Sequence, residues 1–371
     1  MDVINAKDYL AVGKDIKKAV LGFGAMRMPN ETDTAKMIDT FLDSGYNYFD
    51  TAYIYGSSEE VLKKTLIKRH PRHSFLIADK LPPWEIKKHP EDCQKIFEEQ
   101  LRRTGLDYFD FYLIHSLDES REKEVEDLGL FQWVVEQKKK GLVKHVGFSF
   151  HGGTAYLERL LKNHPETEFV LLQQNYVDNS RGLAGEWSAM ARKYNIPFKA
   201  MEPVKGGSLA TLPAPAEKLL KDYASDRSIA SWAIQYVATL EGVTCVLSGM
   251  SNMEQLQDNI KTFKNLEPLT QEELALLEQV LTEMSKVSSI PCTYCKYCHN
   301  ECPENIDIAT CFSLYNGLQR GDQKWNRSAQ YRTIPAGKRA NDCTGCGVCL
   351  SHCPQKIDIP KELGLVVKEL G

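Results

Sequence analysis

Four polar residues in the N-terminal half of the sequence could together transfer a proton: Asp50, Tyr55, Lys80 and His115. A free phenol, with a pKa of about 10, is a poor proton donor at pH 7, but a neighbouring ammonium group favours the phenolate. Lys80 could supply that ammonium, and Asp50 could hold Lys80 in place by an ion pair. His115 could then hydrogen-bond the oxygen that receives the proton. The set predicts general acid catalysis by Tyr55 at a carbonyl group.

Each of these residues also has an explanation without catalysis. Asp50 could cap a helix, Lys80 could be a solvated charge, and His115 could be hydrogen-bonded under a loop. Tyr55 could be a surface aromatic residue, since residues of these types are common where loops begin. The catalytic interpretation therefore depends on whether the fold brings all four together.

The order of apolar runs predicts such a fold. From Val20 to about Phe263, eight short apolar runs alternate with helical patterns, and this alternation over roughly 250 residues is typical of a TIM barrel. A doubly wound sheet is the alternative, but GFGAMRMP lacks the third glycine of a dinucleotide-binding turn. We therefore predict an α/β protein with a (β/α)8 barrel.

In a TIM barrel the chemistry lies where strands end and the loops to the helices begin. The run YNYFD ends in Asp50, FLIADK ends in Lys80, and FDFYLIH ends in His115, while Tyr55 lies in the loop after Asp50. Neighbouring strand ends converge on one mouth of a closed barrel. The barrel prediction therefore places the four polar residues in one cluster.

The cysteines are concentrated at the other end of the sequence. Nine of the eleven lie between Cys292 and Cys353, and eight of these nine form the runs CTYCKYCHNECP and CTGCGVCLSHCP. Both runs read C-x2-C-x2-C-x3-C-P, which is the spacing of bacterial ferredoxins with two 4Fe-4S clusters, where the fourth cysteine of each run serves the other cluster. The sequence thus predicts two such clusters, with these ligands: Cys292, Cys295, Cys298 and Cys353 for one, and Cys343, Cys346, Cys349 and Cys302 for the other.

Zinc is the alternative ligand, because sites of four cysteine thiolates are common structural zinc sites. Zinc modules usually pair two C-x-x-C units, whereas these runs hold four thiols each, which favours iron and sulfide. Cys311 fits neither run and is interpreted as a buried thiol. The uneven distribution argues against a secreted disulfide framework and for a metal-binding module joined to a larger domain.

Length and charge set the remaining limits. With 371 residues the chain can form a barrel, expected over residues 1–285, and a small, mainly helical cluster-binding domain, expected over residues 286–371. The formal charge of −4 comes with no basic tract, so nucleic acid and anionic lipid are not expected partners. The sequence shows no signal peptide and no run of 18 apolar residues, which predicts a cytoplasmic protein.

Several longer stretches resemble the aldo-keto reductases. They are FDTAYIYGSSEEVL, LIADK, LRRTGLDYFDFYLIHS, GLVKHVGFS, QQNY, MEPVKGG and SGMSNMEQLQDN, and they occur in family order across nearly all of residues 18 to 265. The resemblance implies a barrel that binds a nicotinamide nucleotide, NAD(P)H, at its mouth. It also implies that the catalytic tetrad is Asp50, Tyr55, Lys80 and His115, and that a hydride passes from nicotinamide C4 to a carbonyl carbon.

The resemblance also assigns cofactor-binding residues, although some of these positions depart from the family pattern. Ser149 and Gln174 match the residues that hold the nicotinamide amide, although Phe150 stands where an asparagine is usual. Met201 stands where many relatives have a tyrosine against the nicotinamide. The pyrophosphate loop and the adenosine segment correspond to these residues: Pro203, Gly206, Gly207 and Ser208, then Ser251, Gln255 and Asn259.

Gln255 departs from the family pattern in a way that affects cofactor choice. It occupies the place of the basic residue that binds the 2′-phosphate in members that prefer NADP. A missing cation removes a charge-assisted hydrogen bond to that phosphate. We therefore expect a weak or absent preference for NADP over NAD.

The two parts of the chain suggest different electron chemistry. Nicotinamide moves two electrons as a hydride, iron-sulfur clusters move single electrons, and a flavin is the usual link, although the sequence shows no flavin motif. The leading hypothesis is a carbonyl reductase whose clusters either stabilise the C-terminal domain or exchange electrons with a ferredoxin or other redox partner. One alternative is a ferredoxin-linked oxidoreductase that uses a flavin or direct electron transfer at the barrel mouth. Another is a non-catalytic electron-transfer scaffold. The substrate class and the oligomeric state stay open.

Overall fold

The computed structural model describes residues 4–11, 19–86, 89, 91–287 and 289–371. It divides into two compact units. The first comprises Met1–Pro203 and Ala233–Leu269, and the second comprises Val204–Trp232 and Thr270–Gly371. The segment Val204–Trp232, which the sequence alone assigns to the barrel, thus belongs to the second unit.

Within the described part of the first unit, eight parallel strands close into a barrel in sequence order, and β1 pairs with both β2 and β8. This confirms the TIM-barrel prediction. The strands are β1 (Val20–Gly24), β2 (Tyr48–Asp50), β3 (Leu76–Leu81), β4 (Phe109–Leu117), β5 (Val143–Phe150), β6 (Phe169–Gln173), β7 (Phe198–Met201) and β8 (Val243–Ser248).

Helices follow the strands along the chain. They are α1 (Glu31–Asp43), α2 (Ser58–Leu62), α3 (Glu91–Thr104), α4 (Glu122–Asp127), α5 (Leu130–Lys139), α6 (Thr154–Asn163), α7 (Tyr176–Ser180), α8 (Leu183–Lys193), α9 (Ala214–Tyr223), α10 (Ile229–Ala238) and α11 (Met253–Lys264). Polar caps fix where several begin: Asn30 accepts a 3.0 Å hydrogen bond from the amide of Asp33 at the start of α1. Of these helices, α9 and the first residues of α10 lie in the second unit.

The barrel interior is an apolar layer built by alternation along the strands. Successive side chains of a strand point to opposite faces, so every second residue faces inward. Tyr48, Ala78 and Leu113 belong to the same buried cluster, and each lies two positions before a polar residue of the predicted tetrad. The alternation therefore directs those polar side chains into the barrel above this apolar layer.

The second unit is mainly helical, as predicted. Its further helices are α12 (Gln271–Ser285), α13 (Tyr297–Asn300), α14 (Ile308–Gln319), α15 (Lys324–Thr333) and α16 (Ile359–Leu370). A buried cluster that includes Phe312, Tyr331 and Val366 holds α14, α15 and α16 together. Three cysteines of each run belong to this cluster or pack against it: Cys292, Cys298, Cys302, Cys343, Cys349 and Cys353. No helix in the described ranges is both long enough and apolar enough to cross a membrane.

Candidate functional site

The barrel brings the four residues of the predicted tetrad together. Nζ of Lys80 donates hydrogen bonds to Oδ1 of Asp50 at 2.5 Å and to the carbonyl of Thr51 at 2.7 Å. The same nitrogen lies 3.4 Å from the phenol oxygen of Tyr55. The rings of Tyr55 and His115 meet edge to face, with centroids 5.8 Å apart. Lys80 thus links a carboxylate to the phenol, and His115 lies against the ring of that phenol.

The strand register explains this arrangement. Asp50 pairs with Ala78 across β2 and β3, and Lys80 pairs with Leu113 across β3 and β4. The pairing of β4 with β5 is irregular between Ile114 and Leu117, beside His115. Irregular pairing of this kind often redirects a side chain near an active site.

Burial sets the electrostatics of the cluster. Asp50, Lys80 and His115 are 5%, 1% and 3% exposed. Burial alone would lower the pKa of Lys80, but the charges of Asp50 and Tyr55 outweigh it and raise that pKa. Burial lowers the pKa of His115 well below its usual value, with Lys80 adding to the effect, so the imidazole is neutral at pH 7. The site therefore holds a protonated lysine beside a phenol and a neutral histidine.

Burial raises the pKa of Asp50, although the ammonium of Lys80 opposes this effect. The Oδ2 atom of Asp50 is buried and has no hydrogen-bond partner among the described residues, so Asp50 is held through Oδ1. An ion pair in such surroundings persists only with good geometry. The short contact to Lys80 supplies that geometry.

Trp84 adds an aromatic wall beside the cluster. Its ring lies 5.4 Å from that of His115, and the guanidinium of Arg121 lies 4.7 Å from the centre of the Trp84 ring. The rest of this loop includes Lys87, Lys88 and Pro90, which lie outside the described residues. An aromatic face at this position could pack against an apolar part of a substrate.

Ser149 and Gln174, the expected nicotinamide contacts, lie at the ends of neighbouring strands. Oγ of Ser149 accepts a 2.7 Å hydrogen bond from the amide of Ser116, a residue with a φ of 55°. The side-chain nitrogen of Gln174 donates to the carbonyl of Ala184 at 2.7 Å. Its Oε1 is buried without a partner among the described residues, so it could accept a hydrogen bond from a carboxamide N–H. This oxygen fits the amide of a nicotinamide ring.

The expected adenosine segment follows β8 at the start of α11. Oε1 of Gln255 accepts a 2.8 Å hydrogen bond from the amide of Ser251, so this side chain is directed back toward the loop. Asn259 is buried and donates to Oγ of Ser248 at 2.7 Å. Ser251 and Gln255 are exposed and accessible to a ligand, whereas Asn259 supports the loop from beneath.

The expected pyrophosphate contacts fall on both sides of a unit boundary, because Pro203 ends a segment of the first unit and Gly206, Gly207 and Ser208 lie in the second. Gly206 has a φ of 65°, and a Cβ there would lie 2.2 Å from the carbonyl oxygen of Thr293. Only glycine fits such an approach. Gly206 is thus packed against the residue that follows Cys292. Gly207 has a φ of 101°, and no other described atom lies within 4 Å of where its Cβ would be.

The cysteines gather around two cavities in the second unit. One cavity is lined by four thiols: Cys292, Cys295, Cys298 and Cys353. The other is lined by another four: Cys302, Cys343, Cys346 and Cys349. The fourth cysteine of each run thus lies with the first three of the other run. Cys311 lines neither cavity and is fully buried in α14.

The donor set fits iron-sulfur clusters. Thiolates are the usual ligands of 4Fe-4S clusters, and apolar residues such as Ile308 and Ile359 also line the cavity that contains Cys292. In the described ranges no three Cys, His, Asp or Glu side chains come close enough to share a single metal ion. Each group of thiols instead surrounds a space that a multi-atom cluster could fill.

Lys199 is a buried group that the sequence analysis did not single out. Its Nζ donates to the carbonyl of Tyr9 at 2.9 Å, and four aromatic rings surround it within 5.4 Å: those of Tyr9, Tyr48, Phe111 and Phe169. Burial lowers the pKa of Lys199 to about 8. The sequence did contain a signal for this buried group. Lys199 is a charged residue inside the apolar run IPFKAMEP, two residues before Met201.

Glu59 and Asp79 were also missed, although both are fully buried beside the tetrad. Asp79 directly precedes Lys80, and Glu59 follows Tyr55 by four residues. Glu59 lies in the stretch FDTAYIYGSSEEVL and Asp79 in LIADK, so the sequence placed both near the site. Their hydrogen-bond partners, however, come from elements that are distant in the sequence.

The Aldo/keto reductase family matches residues 20–282, and a 4Fe-4S dicluster domain matches residues 291–357. An uncharacterized oxidoreductase of Bacillus subtilis, YqkF, is 24% identical over 298 residues, covering 71% of this chain and 93% of the relative.

Solved structures share the barrel. The holo form of aldo-keto reductase AKR11C1 from Bacillus halodurans is 24% identical, with a TM-score of 0.59 over 72% of this chain and 94% of its own. An aldo/keto reductase from Klebsiella pneumoniae in complex with NADP and acetate is 21% identical, with a TM-score of 0.59 over 73% and 94%. At these identities the likeness concerns the fold. The family match over most of the chain establishes that this protein belongs to the aldo/keto reductase family and carries a 4Fe-4S dicluster domain C-terminal to the barrel.

Proposed function

We propose that the protein reduces an aldehyde or ketone to an alcohol, with NAD(P)H as hydride donor and Tyr55 as general acid. The observation that carries this proposal is the contact of 3.4 Å between Nζ of Lys80 and the phenol oxygen of Tyr55, in a cluster that also contains Asp50 and His115. An ammonium this close stabilises the phenolate that remains after the proton has left. A carbonyl oxygen that gains negative charge would receive that proton.

Each of the other residues has a distinct role in this proposal. Asp50 and the carbonyl of Thr51 hold the ammonium of Lys80 in place. The neutral imidazole of His115 can donate a hydrogen bond to the substrate oxygen without competing for the proton of Tyr55. Trp84 covers one side of the cluster and reduces the access of water. Together these residues orient a carbonyl beside Tyr55.

The nicotinamide cofactor, when bound, supplies the hydride, so that hydride and proton together convert the carbonyl into an alcohol and leave NAD(P)+. We propose that these residues bind it: Ser149, Gln174, Pro203, Gly206, Gly207, Ser208, Ser251, Gln255 and Asn259. The buried Oε1 of Gln174 supports this assignment, as does the NADP in the Klebsiella pneumoniae structure. Because Gln255 carries no charge, we propose that NADP is not strongly preferred over NAD.

We further propose that residues 286–371 form a domain that binds two 4Fe-4S clusters, with these ligand sets: Cys292, Cys295, Cys298 and Cys353, and Cys302, Cys343, Cys346 and Cys349. The two cavities lined by these thiols support both sets. Such clusters move single electrons, so a ferredoxin or another redox partner would be their natural counterpart. We do not propose a flavin.

Tyr55→Phe tests the proposed acid, with Tyr53→Phe as a matched control in the same loop. Both variants would be purified without oxygen and assayed with NADH and NADPH against a panel of aldehydes and ketones. We expect Tyr55→Phe to lower kcat by about 10²–10⁴, the usual contribution of general acid catalysis, with iron content unchanged. Tyr53→Phe should keep the rate. Equal rates for wild type and Tyr55→Phe would refute the role of Tyr55.

A further inference from the structure

Behind the candidate site lies a buried pair of carboxyl groups, Glu59 of α2 and Asp79 of β3, which are both fully inaccessible to solvent. Because side chains alternate along a strand, Asp79 points to the face of β3 opposite Lys80, toward the surrounding helices. Glu59 lies in the first turn of α2, directly after the loop that carries Tyr55. The pair therefore joins the element that carries Lys80 to the element that follows Tyr55.

The hydrogen bonds of the pair leave one oxygen of each group without a donor. Oδ1 of Asp79 accepts from the amide of Lys80 at 2.8 Å and from the side chain of Gln100 at 2.7 Å. Oε2 of Glu59 accepts from Arg103 at 3.0 Å. The remaining oxygens, Oδ2 of Asp79 and Oε1 of Glu59, are buried with no conventional donor among the described residues.

These two groups are neighbours, because Arg103 bonds Glu59 and Gln100 bonds Asp79 from positions one turn apart on α3. The charge of Glu59 also acts on the pKa of Asp79. An ionised carboxylate can only accept hydrogen bonds, so two carboxyl groups can bond only if one of them carries a proton. A single proton between Oε1 and Oδ2 would satisfy both remaining oxygens. It would also avoid the cost of two buried negative charges next to each other.

We propose that Glu59 and Asp79 share one proton and act as positioning residues that hold the Lys80 strand and the Tyr55 loop at their working separation. This inference rests on the proposed function for its catalytic consequence, whereas the shared proton itself does not.

The contacts around the pair explain how it could position the site. Gln100 bonds both Asp79 and the carbonyl of Lys80, and Tyr112 bonds Gln100 in turn at 2.5 Å. On the other side, Arg103 bonds the carbonyl of Tyr53 at 3.2 Å and lies 4.4 Å from the centre of its ring. One network thus holds the backbone of Lys80 and the loop two residues before Tyr55.

The charged surroundings favour retention of the proton. Burial raises the pKa of Asp79 well above its usual value, with the charge of Glu59 adding to the effect. Burial also raises the pKa of Glu59, although Asp79 and Arg103 oppose it. The titratable groups that face the pair are Arg103 and Glu99 of α3, Glu60 of α2, Lys80 of β3 and Tyr112 of β4. Arg103 can balance one negative charge of the pair, and the proton removes the other.

The direction of the pH effect follows from the raised pKa. The folded state binds this proton more tightly than the unfolded state, so its contribution to stability is complete below the usual carboxyl pKa. The contribution is lost as the pH rises through the folded pKa. At high pH the ionised pair would push α2 away from β3 and change the contact between Lys80 and Tyr55.

Asp79→Asn tests the shared proton, because the amide N–H can donate permanently where the proton would lie. Infrared difference spectra of the whole protein should show the C=O stretch of a protonated carboxyl group in the wild type at neutral pH. We expect Asp79→Asn to lose this band and to lose the fall in stability that begins as the pH rises above the usual carboxyl pKa. Glu168→Gln is the control and should keep the band, because Lys138 and His145 help to hold the pKa of Glu168 at about 2 despite its partial burial.

The catalytic part of the proposal needs a kinetic readout. Asp79→Ala, which removes the contact with Glu59, should lower kcat about tenfold or more, since small misplacements of catalytic groups have large effects on rate. Asp79→Asn should recover most of that loss and should remove the decline of kcat that follows ionisation of the pair as the pH rises. Identical pH profiles for wild type and Asp79→Asn would overturn the positioning role.

The infrared result separates this inference from the proposed function. If no carbonyl compound is reduced by any variant, the proposed function fails, while loss of the band in Asp79→Asn still supports the shared proton. If carbonyl reduction is observed and the band is identical in wild type and Asp79→Asn, the shared proton is refuted.

Discussion

The ammonium group of Lys80 donates a 2.5 Å hydrogen bond to Asp50 where both side chains are almost completely buried. Removal of one partner from a buried ion pair leaves the other charge uncompensated, which costs about 3–5 kcal/mol. We therefore expect Lys80→Met to lower the free energy of unfolding by about that amount and to abolish carbonyl reduction. Denaturant unfolding and steady-state kinetics measure the two effects.

A double variant separates the two effects. In Asp50→Asn/Lys80→Met the buried carboxylate is also neutral, so much of the lost stability should return while the activity stays absent. A Lys80→Met variant that is as stable and as active as the wild type would contradict the account of the ion pair.

Lys199 is expected to reduce stability at neutral pH because burial lowers its pKa to about 8. The unfolded chain holds this proton more tightly, with a pKa of about 10.4, and the difference corresponds to about 3 kcal/mol. The groups facing Lys199 are Tyr9, Tyr48, Cys245 and Asp50. The wild type should therefore gain stability relative to Lys199→Met as the pH rises from about 8 to about 10.

Unfolding by denaturant between pH 7 and pH 10 measures this difference. The exposed Lys264 provides the control, because Lys264→Met should leave the pH dependence of stability unchanged. A stability difference between wild type and Lys199→Met that does not vary with pH would show that Lys199 is not held in the way described.

The exchange of the fourth cysteine between the two runs can be tested by single substitutions. Cys302→Ser should alter the electron paramagnetic resonance signal of the same cluster as Cys346→Ser. Cys353→Ser should alter that of the cluster affected by Cys295→Ser. Cys311→Ala, in the interior of α14, should keep the full iron content. If Cys302→Ser affects the cluster of Cys295 instead, the ligand sets are wrong.

The cofactor preference can be changed at Gln255. An arginine there would offer a charge-assisted hydrogen bond to a 2′-phosphate, which is worth about 1.5–3 kcal/mol. We expect Gln255→Arg to bind NADPH roughly tenfold or more tightly than the wild type does, with little change for NADH. Gln255→Met is the control, because it also loses the bond to the amide of Ser251 but adds no charge. Strong selectivity for NADPH in the wild type would contradict our proposal for Gln255.

Much of the barrel could be predicted because each strand is a short apolar run and each run can be recognised from neighbouring residues alone. Asp50, Lys80 and His115 could be found because each is a polar residue that ends such a run. The same reasoning explains why Lys199 was missed, since it lies inside a run, where a polar residue is easily overlooked. Its partner Tyr9 comes from a segment 190 residues away.

Two other features could not be predicted because they depend on contacts between distant elements. The proximity of Glu59 and Asp79 depends on how α2, β3 and α3 pack together, which the sequence does not indicate. The packing of Gly206 against Thr293 requires a close backbone approach that no residue pattern indicates. The cysteine runs, by contrast, have a spacing that indicates cluster binding, and four of their thiols line each of two cavities. Their assignment as cluster ligands stays a prediction.

The central claim is that a hydride passes directly from the nicotinamide to the carbonyl carbon beside Tyr55. The most direct test is reduction of a carbonyl substrate with NAD(P)H deuterated at C4, followed by analysis of the alcohol by nuclear magnetic resonance. The account predicts deuterium on the carbon of the former carbonyl group, with the same result in a Cys346→Ser variant. An alcohol whose new carbon-bound hydrogen comes from the solvent, formed only when the clusters are intact, would contradict it.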